Sequence, residues 1–273
     1  LIRIALKEDI GDGDHTTLSC VSKEIIGKAQ LIIKQEGVLC GVEVAKRIFE
    51  LFDPELKITV LLHDGARVKV GDIAFTIEGS TVSILQCERL VLNFMQRLSG
   101  IATQTNVYVD ALKGTNTKVL DTRKTTPGLR LLEKYAVKVG GGENHRIGLY
   151  DMILIKDNHI DFAGGVVNAI QKTKNYLATK GKDLKIEVEA RTFEEIQQIL
   201  DCGGVFRILI DNFTPEKTKE AVALINGRSQ TESSGGITLQ NIRQYAEAGV
   251  DYISVGALTH QIKSLDMSLK AVK

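Results

Sequence analysis

From Lys118 onward, short apolar runs alternate with helical stretches in a rhythm that few folds accommodate. KVLDT, MILIK, KIEVE, RILID and YISVG are brief, rich in β-branched residues and nearly continuous in hydrophobicity, as strands buried on both faces are. Between them lie LRLLEKYAVKV, GGVVNAIQKTKNYLAT, FEEIQQIL, PEKTKEAVALI and TLQNIRQYAEAG, all of helical composition. The alternation requires a further strand at ESSGGI, a weaker candidate. Six β/α units predict an α/β barrel or a near-barrel, with an open doubly wound sheet as the competing architecture.

The first part of the chain obeys another grammar. KAQLIIKQEG, KITVLLHDG and ARVKVGDIAFTIEG are β-branched runs punctuated by Asp64-Gly65, Gly71-Asp72 and Glu78-Gly79, which predicts antiparallel strands. VEVAKRIFELF interrupts them with helical spacing. The segment 84–114 carries one helical stripe through Leu90, Val91, Phe94, Leu98 and Ile101, and Ser99-Gly100 predicts a break within it.

Polar residues gather at one point of each β/α unit. Arg123 and Lys124 follow KVLDT, Lys156 closes MILIK, Glu189 closes KIEVE and Asp211 closes RILID. Ser234, Gly235 and Gly236 end the weak strand, and Gly256 follows YISV. Parallel α/β folds bring the C-terminal ends of their strands to one rim, where their chemistry sits. Between Thr122 and Ile160 there are seven Lys/Arg against four Asp/Glu, in a chain whose totals are 35 and 34. The basic excess is therefore local. It includes TRKTTPGLR, a turn marked by Pro127-Gly128, and GGGENHR, in which His145 and Arg146 follow three glycines. Arginine offers a planar fork suited to carboxylates, and several cations in one pocket repel one another until a polyanion neutralises them.

The acids are the counterpart. Glu187 and Glu189 alternate on one strand and share a face, which in a barrel is the interior. With Asp211 they suit a divalent cation, sugar hydroxyls, an acid/base pair or simple ion pairing with the bases. SSGGITLQ leads a Ser-Gly-Gly turn straight into a predicted helix, which presents backbone N–H groups to a phosphate.

Other classes fall away. The balanced charge argues against nucleic acid as a partner. No apolar stretch is long enough for a bilayer, and no signal-peptide pattern opens the chain, although Leu1 is not an initiator methionine. Cys20, Cys40, Cys87 and Cys202 show no metal or disulfide spacing and fit reduced cytoplasmic thiols. EDIGDGDHTT lacks the spacing and distal glutamate of a calcium loop and reads as a structured turn. No nucleotide motif of the G-x-x-x-x-G-K-[ST] or G-x-G-x-x-G kind occurs.

Nearly end to end, the chain resembles the quinolinate phosphoribosyltransferase family, in EDIGDGDHTT, ERLVLNFMQRLSGIAT, TRKTTPGLRLLEKYAVKVGGGENHR, DMILIKDNHI, IEVEA, LIDNF, SSGGIT and ISVGALTH. The resemblance implies the type II phosphoribosyltransferase architecture: an N-terminal α/β sandwich over 1–105, rejoined by a C-terminal helix at about 262–273, and an incomplete α/β barrel over 106–261. It implies conversion of quinolinate and phosphoribosyl pyrophosphate into nicotinate mononucleotide, pyrophosphate and CO2, with Mg²⁺. By the same resemblance, Arg123, His145, Arg146 and Lys156 hold quinolinate, and Arg89 joins them from a neighbouring subunit of a homodimer, itself a building block for a hexamer. Lys124 meets the pyrophosphate, Glu189 and Asp211 meet the ribose or the metal, and Ser234, Gly235, Gly236 and Gly256 hold the 5′-phosphate. The alternatives are a related transferase for another anionic pyridine, a Schiff-base aldolase using Lys156, and a non-catalytic binder of an anionic metabolite.

Overall fold

The computed structural model describes residues 1–272 and divides the chain into two compact units. One comprises Leu1–Asn106, Thr125–Gly141 and the chain from Ala257 on; the other comprises Val107–Lys124 and Gly142–Gly256.

In the first unit, strands β1 (Ile26–Ile33), β3 (Lys57–Val60), β5 (Ile73–Ser80) and β12 (Met267–Ala271) form an antiparallel sheet in the order β12-β1-β5-β3. Strands β2 (Gly37–Val38) and β4 (Arg67–Val68) pair separately. Alternation along β1 buries Ala29, Leu31 and Ile33 on one face. Helix α3 (Val42–Phe52) buries Val42, Ala45, Ile48 and Phe49, the stripe a 3.6-residue period produces. Phe49 meets Phe75 of β5 edge-on with centroids 6.0 Å apart. Helices α1 (Ile2–Ile10) and α2 (His15–Cys20) flank the turn in EDIGDGDHTT, and the Asp14 side chain caps α2 through the Thr17 N–H.

Two expectations are corrected here. Residues Thr81–Ala111 form one uninterrupted helix, α4, rather than two. Gly100 serves close packing instead of a break: a Cβ there would lie 2.4 Å from the Lys263 carbonyl oxygen. Ser99 turns its hydroxyl to the Cys40 backbone, donating to the carbonyl and accepting from the N–H. The predicted C-terminal helix is a strand. Met267 and Leu269 are buried while Ser268 and Lys270 are less so, and Leu269 registers with Leu31, so the period is two. The last residue of that predicted helix, Lys273, lies outside the described residues.

Helix α5 (Arg130–Val139) carries Glu133, fully buried, which accepts from Arg97 Nε and Nη2 at 2.9 and 2.6 Å and from the Thr126 N–H at 3.1 Å. Arg97 also donates to Thr126 Oγ1, so one ion pair pins the middle of TRKTTPGLR. Glu133→Ala would leave a partly buried guanidinium unpaired and is expected to destabilise the protein by about 3 kcal/mol, read from urea unfolding. A loss under about 1 kcal/mol would show that water replaces the carboxylate at little cost.

In the second unit, β6 (Lys118–Leu120), β7 (Ile153–Ile155), β8 (Ile186–Ala190), β9 (Arg207–Asp211), β10 (Gln230–Ser234) and β11 (Tyr252–Ser254) are parallel, ordered β6-β11-β10-β9-β8-β7. Helices α6 (Asp157–Ala163), α7 (Val166–Lys180), α8 (Phe193–Cys202), α9 (Pro215–Ile225) and α10 (Ile242–Glu247) intervene. The terminal strands β6 and β7 do not pair; a lone bridge from Leu120 to Glu143 stands beside β6. This is the incomplete barrel, and ESSGGI supplies its strand β10. Every residue of β8 is buried, as a strand covered on both faces must be. Among the described residues no helix is long and apolar enough to cross a membrane.

Candidate active site

Because the six strands run parallel, their C-terminal ends share one rim, and the polar residues singled out in the sequence stand there. Arg123 and Lys124 follow β6 and are exposed; Lys156 follows β7; Glu189 lies near the end of β8; Asp211 ends β9; Ser234 ends β10; Gly256 follows β11. His145 and Arg146 stand on the segment that leads from the bridge residue Glu143 toward β7. Arg89 belongs to the other unit, exposed on α4.

Two buried carboxylates shape this rim. Asp121, just after β6, accepts from the His145 N–H at 2.8 Å and from Asn144 Nδ2 at 2.6 Å, fixing the start of the basic segment. Glu189 accepts from the Asp157 N–H at 3.3 Å and lies 3.8 Å from Lys156 Nζ. Burial, and then the neighbouring Asp211 charge, raise its pKa, and Lys156 opposes them. Arg146 donates through Nη1 to the Met152 carbonyl at 3.0 Å. Burial and the nearby Arg123 guanidinium both disfavour its charged form.

The Asp211 carboxylate accepts from Ser234 Oγ and from Asn212 Nδ2, each at 2.5 Å. Asn212 has φ 59° and donates its backbone N–H to the Ser234 carbonyl at 3.0 Å. Gly235 follows at φ 90°, where a Cβ would meet Asn212 Oδ1 at 2.1 Å, so no larger residue fits. Gly236 has φ 61° with open space before it. The expected helix start immediately after these glycines is corrected: α10 begins only at Ile242, after a turn in which Asn241 Oδ1 accepts from the Thr238 N–H. The backbone N–H groups at this strand end therefore belong to a glycine turn rather than to a helix end.

Sequence reasoning missed a charged cluster inside the barrel. His145 Nε2 lies 3.1 Å from Glu187 Oε2 and 3.6 Å from Glu232 Oε2, and Arg207 Nη1 lies 2.7 Å from Glu232 Oε2. The available signal was a charge at an inward position of each buried strand, Glu187, Arg207 and Glu232. Burial pushes Glu187 and Glu232 up to about 7, with the Glu187 charge adding to the rise at Glu232. A glutamate raised from 4.5 holds its proton more tightly in the folded state. This stabilisation is complete below the unfolded value and is lost as pH rises through about 7. The melting temperature is thus expected to fall between about pH 5 and about pH 8, and Glu232→Gln to flatten that slope. An identical slope in wild type and variant would contradict the assignment.

Two family descriptions cover nearly the whole chain. The quinolinate phosphoribosyl transferase N-terminal domain matches residues 14–99, and the C-terminal domain of the same family matches 101–270. The chain belongs to the quinolinate phosphoribosyl transferase family. Both family domains meet within α4. Among relatives, the chloroplastic nicotinate-nucleotide pyrophosphorylase [carboxylating] of Arabidopsis thaliana is 43% identical, the match covering 99% of this chain and 81% of that protein. A probable nicotinate-nucleotide pyrophosphorylase [carboxylating] of Bacillus subtilis is 42% identical, covering 96% and 89%. The crystal structure of NadC from Streptococcus pyogenes superposes with a TM-score of 0.94 at 42% identity, covering 100% of this chain and 96% of that one. Of the stretches that carry the resemblance, Arg123, Lys124, His145 and Arg146 lie in the unit that holds the parallel sheet, whereas Thr125–Gly141 belongs to the first unit.

Proposed function

We infer that this chain transfers the phosphoribosyl group of phosphoribosyl pyrophosphate to quinolinate, with decarboxylation, giving nicotinate mononucleotide, pyrophosphate and CO2. The observation that carries the reading is the joining, in one family-typical barrel, of Lys156, Glu189, Asp211 and a left-handed glycine turn at strand ends with Arg123 after β6 and Arg146 on the segment that leads to β7. Such a rim suits one dicarboxylate and one phosphorylated sugar.

Arg123, Arg146 and Lys156 hold the two quinolinate carboxylates, with His145 beside Arg146 completing that side of the pocket. The N–H groups at Gly235, Gly236 and Gly256, with Ser234, receive the 5′-phosphate. Glu189 and Asp211 lie under the ribose. As the pyridine nitrogen bonds to the sugar carbon, the bond to pyrophosphate breaks and the ring gains oxocarbenium character, which these carboxylates stabilise. Lys124 balances charge on the departing pyrophosphate. Loss of the 2-carboxylate as CO2 then leaves its electron pair on a carbon next to a quaternary nitrogen, and that carbon takes up a proton from water to give nicotinate mononucleotide. No nucleophilic side chain is needed, and orientation by the cations suffices.

Glu189 and Asp211 fit a magnesium ion. They are hard oxygen donors, and Asp211 is near enough to raise the Glu189 pKa, a repulsion that a divalent cation relieves. When bound, it would supply positive charge for the pyrophosphate oxygens. The cluster of His145, Glu187 and Glu232 fits less well, because a guanidinium already occupies its charge-balancing place.

Arg89 completes the acceptor pocket of a neighbouring subunit in a homodimer, consistent with its exposure on α4. The unpaired state of all four cysteines supports a reducing, cytoplasmic setting. The test is release of labelled CO2 from quinolinate, which should require phosphoribosyl pyrophosphate and yield nicotinate mononucleotide in equal amount. Binding of quinolinate without CO2 release would indicate a binding protein, and turnover of nicotinate in its place would indicate a related transferase. For the shared site, inactive Arg89→Ala mixed with inactive Arg146→Ala should regain activity; no recovery at any ratio would contradict subunit sharing.

A further inference from the structure

Four consecutive strands, β8 to β11, each contribute one side chain to a single polar cluster: Glu187, Arg207, Glu232 and Tyr252. Arg207 Nη1 lies 2.7 Å from Glu232 Oε2 and 3.9 Å from Glu187 Oε2, and its guanidinium carbon sits 4.1 Å from the Tyr252 ring centroid. Glu187 and Glu232 are at most 1% exposed and Arg207 7%. Arg207 Nη1 donates to Glu232 Oε2 at 2.7 Å, while Arg207 Nε has no hydrogen-bond partner, so the group joins directional bonding to charge.

Energetically this is a poor way to fill a barrel. Apolar side chains of similar volume are usually neutral or stabilising in place of a buried ion pair. What the ionic version adds is a fixed direction of charge, and it is aimed at His145. The ring Nε2 lies within ion-pair distance of both carboxylates, while Nδ1 accepts the Arg146 N–H at 2.7 Å. A neutral imidazole that accepts at Nδ1 carries its proton on Nε2, facing the cluster. The ring thus ties the charged interior to the backbone of Arg146, at the rim.

We propose that Arg207, Glu232 and Glu187 are positioning residues that fix the tautomer and ring plane of His145 and, through it, the backbone of Arg146. They act on the acceptor side of the pocket and leave the phosphate turn alone. The proposal rests on the reading that Arg146 holds a quinolinate carboxylate.

The test is the double variant Arg207→Met/Glu232→Leu, which removes both charges at similar volume. It should melt near the wild-type temperature, raise KM for quinolinate about tenfold and change KM for phosphoribosyl pyrophosphate less than about twofold. In ¹⁵N spectra, the His145 ring, assigned with His145→Asn, should be a single Nε2–H tautomer in the wild type and a mixture in the variant. A double variant with wild-type melting, wild-type KM for quinolinate and unchanged ring signals would overturn the proposal. If the double variant does not fold, Glu232→Gln keeps the shape and carries the same readouts. The ring spectrum decides the positioning role even if the wild type releases no CO2, so the two failures are distinguishable.

Discussion

Arg146→Ala is expected to lower kcat/KM for quinolinate by about a hundredfold to ten-thousandfold, one of the two largest effects anticipated. The guanidinium donates once, to the Met152 carbonyl, and a fork of five N–H groups has further donors that a carboxylate would use. Two charge-assisted hydrogen bonds, at about 1.5–3 kcal/mol each, account for that range. Burial and Arg123 already disfavour its charge, an electrostatic penalty that a bound dicarboxylate would relieve. Arg146→Lys should recover little, because an ammonium cannot reproduce the planar two-point contact. Steady-state kinetics with each substrate varied checks this: KM for phosphoribosyl pyrophosphate should stay near wild type. A matched rise in both KM values would mean that the substitution disturbs the whole rim.

The second large effect is on turnover. Asp211→Asn is expected to reduce kcat by about a hundredfold to a thousandfold, the scale of losing one preorganised electrostatic partner of a transition state. Asparagine keeps an acceptor for Ser234 and preserves the volume, so the loss would report the carboxylate charge itself. Glu189→Gln should act in the same direction. Single-turnover measurements distinguish the cases, since chemistry itself should slow while quinolinate binding is retained. If quinolinate affinity collapses instead, Asp211 belongs to the acceptor side.

Most of the barrel was legible because buried parallel strands have a plain signature: MILIK, KIEVE and RILID became β7, β8 and β9. Their last residues stand at the rim because parallel strands can end only there. The failures have physical causes. Ser99-Gly100 carries the local chemistry of a helix break, but a glycine inside a helix also lets another backbone approach, and the Lys263 carbonyl does so. The C-terminal helix was expected from the resemblance, whereas SLDMSLKAVK buries Leu265, Met267 and Leu269 at a period of two, with Leu269 opposite Leu31. The helix expected after SSGG is delayed because Asn241 closes a turn first. The Arg207–Glu232–His145 cluster was legible only in part: inward charges can be read on single strands, but residues distant in sequence become one group only when the sheet curves.

The central claim is that the cations at this rim exist to hold a small dicarboxylate beside a phosphorylated sugar. The most direct measurement is a crystal structure with pyridine-2,3-dicarboxylate bound. Its carboxylates are predicted within hydrogen-bonding distance of Arg123, Arg146 and Lys156, with the ring nitrogen turned toward Glu189 and Asp211. Well-defined density for the acid at any other place, with those side chains turned away, would contradict it.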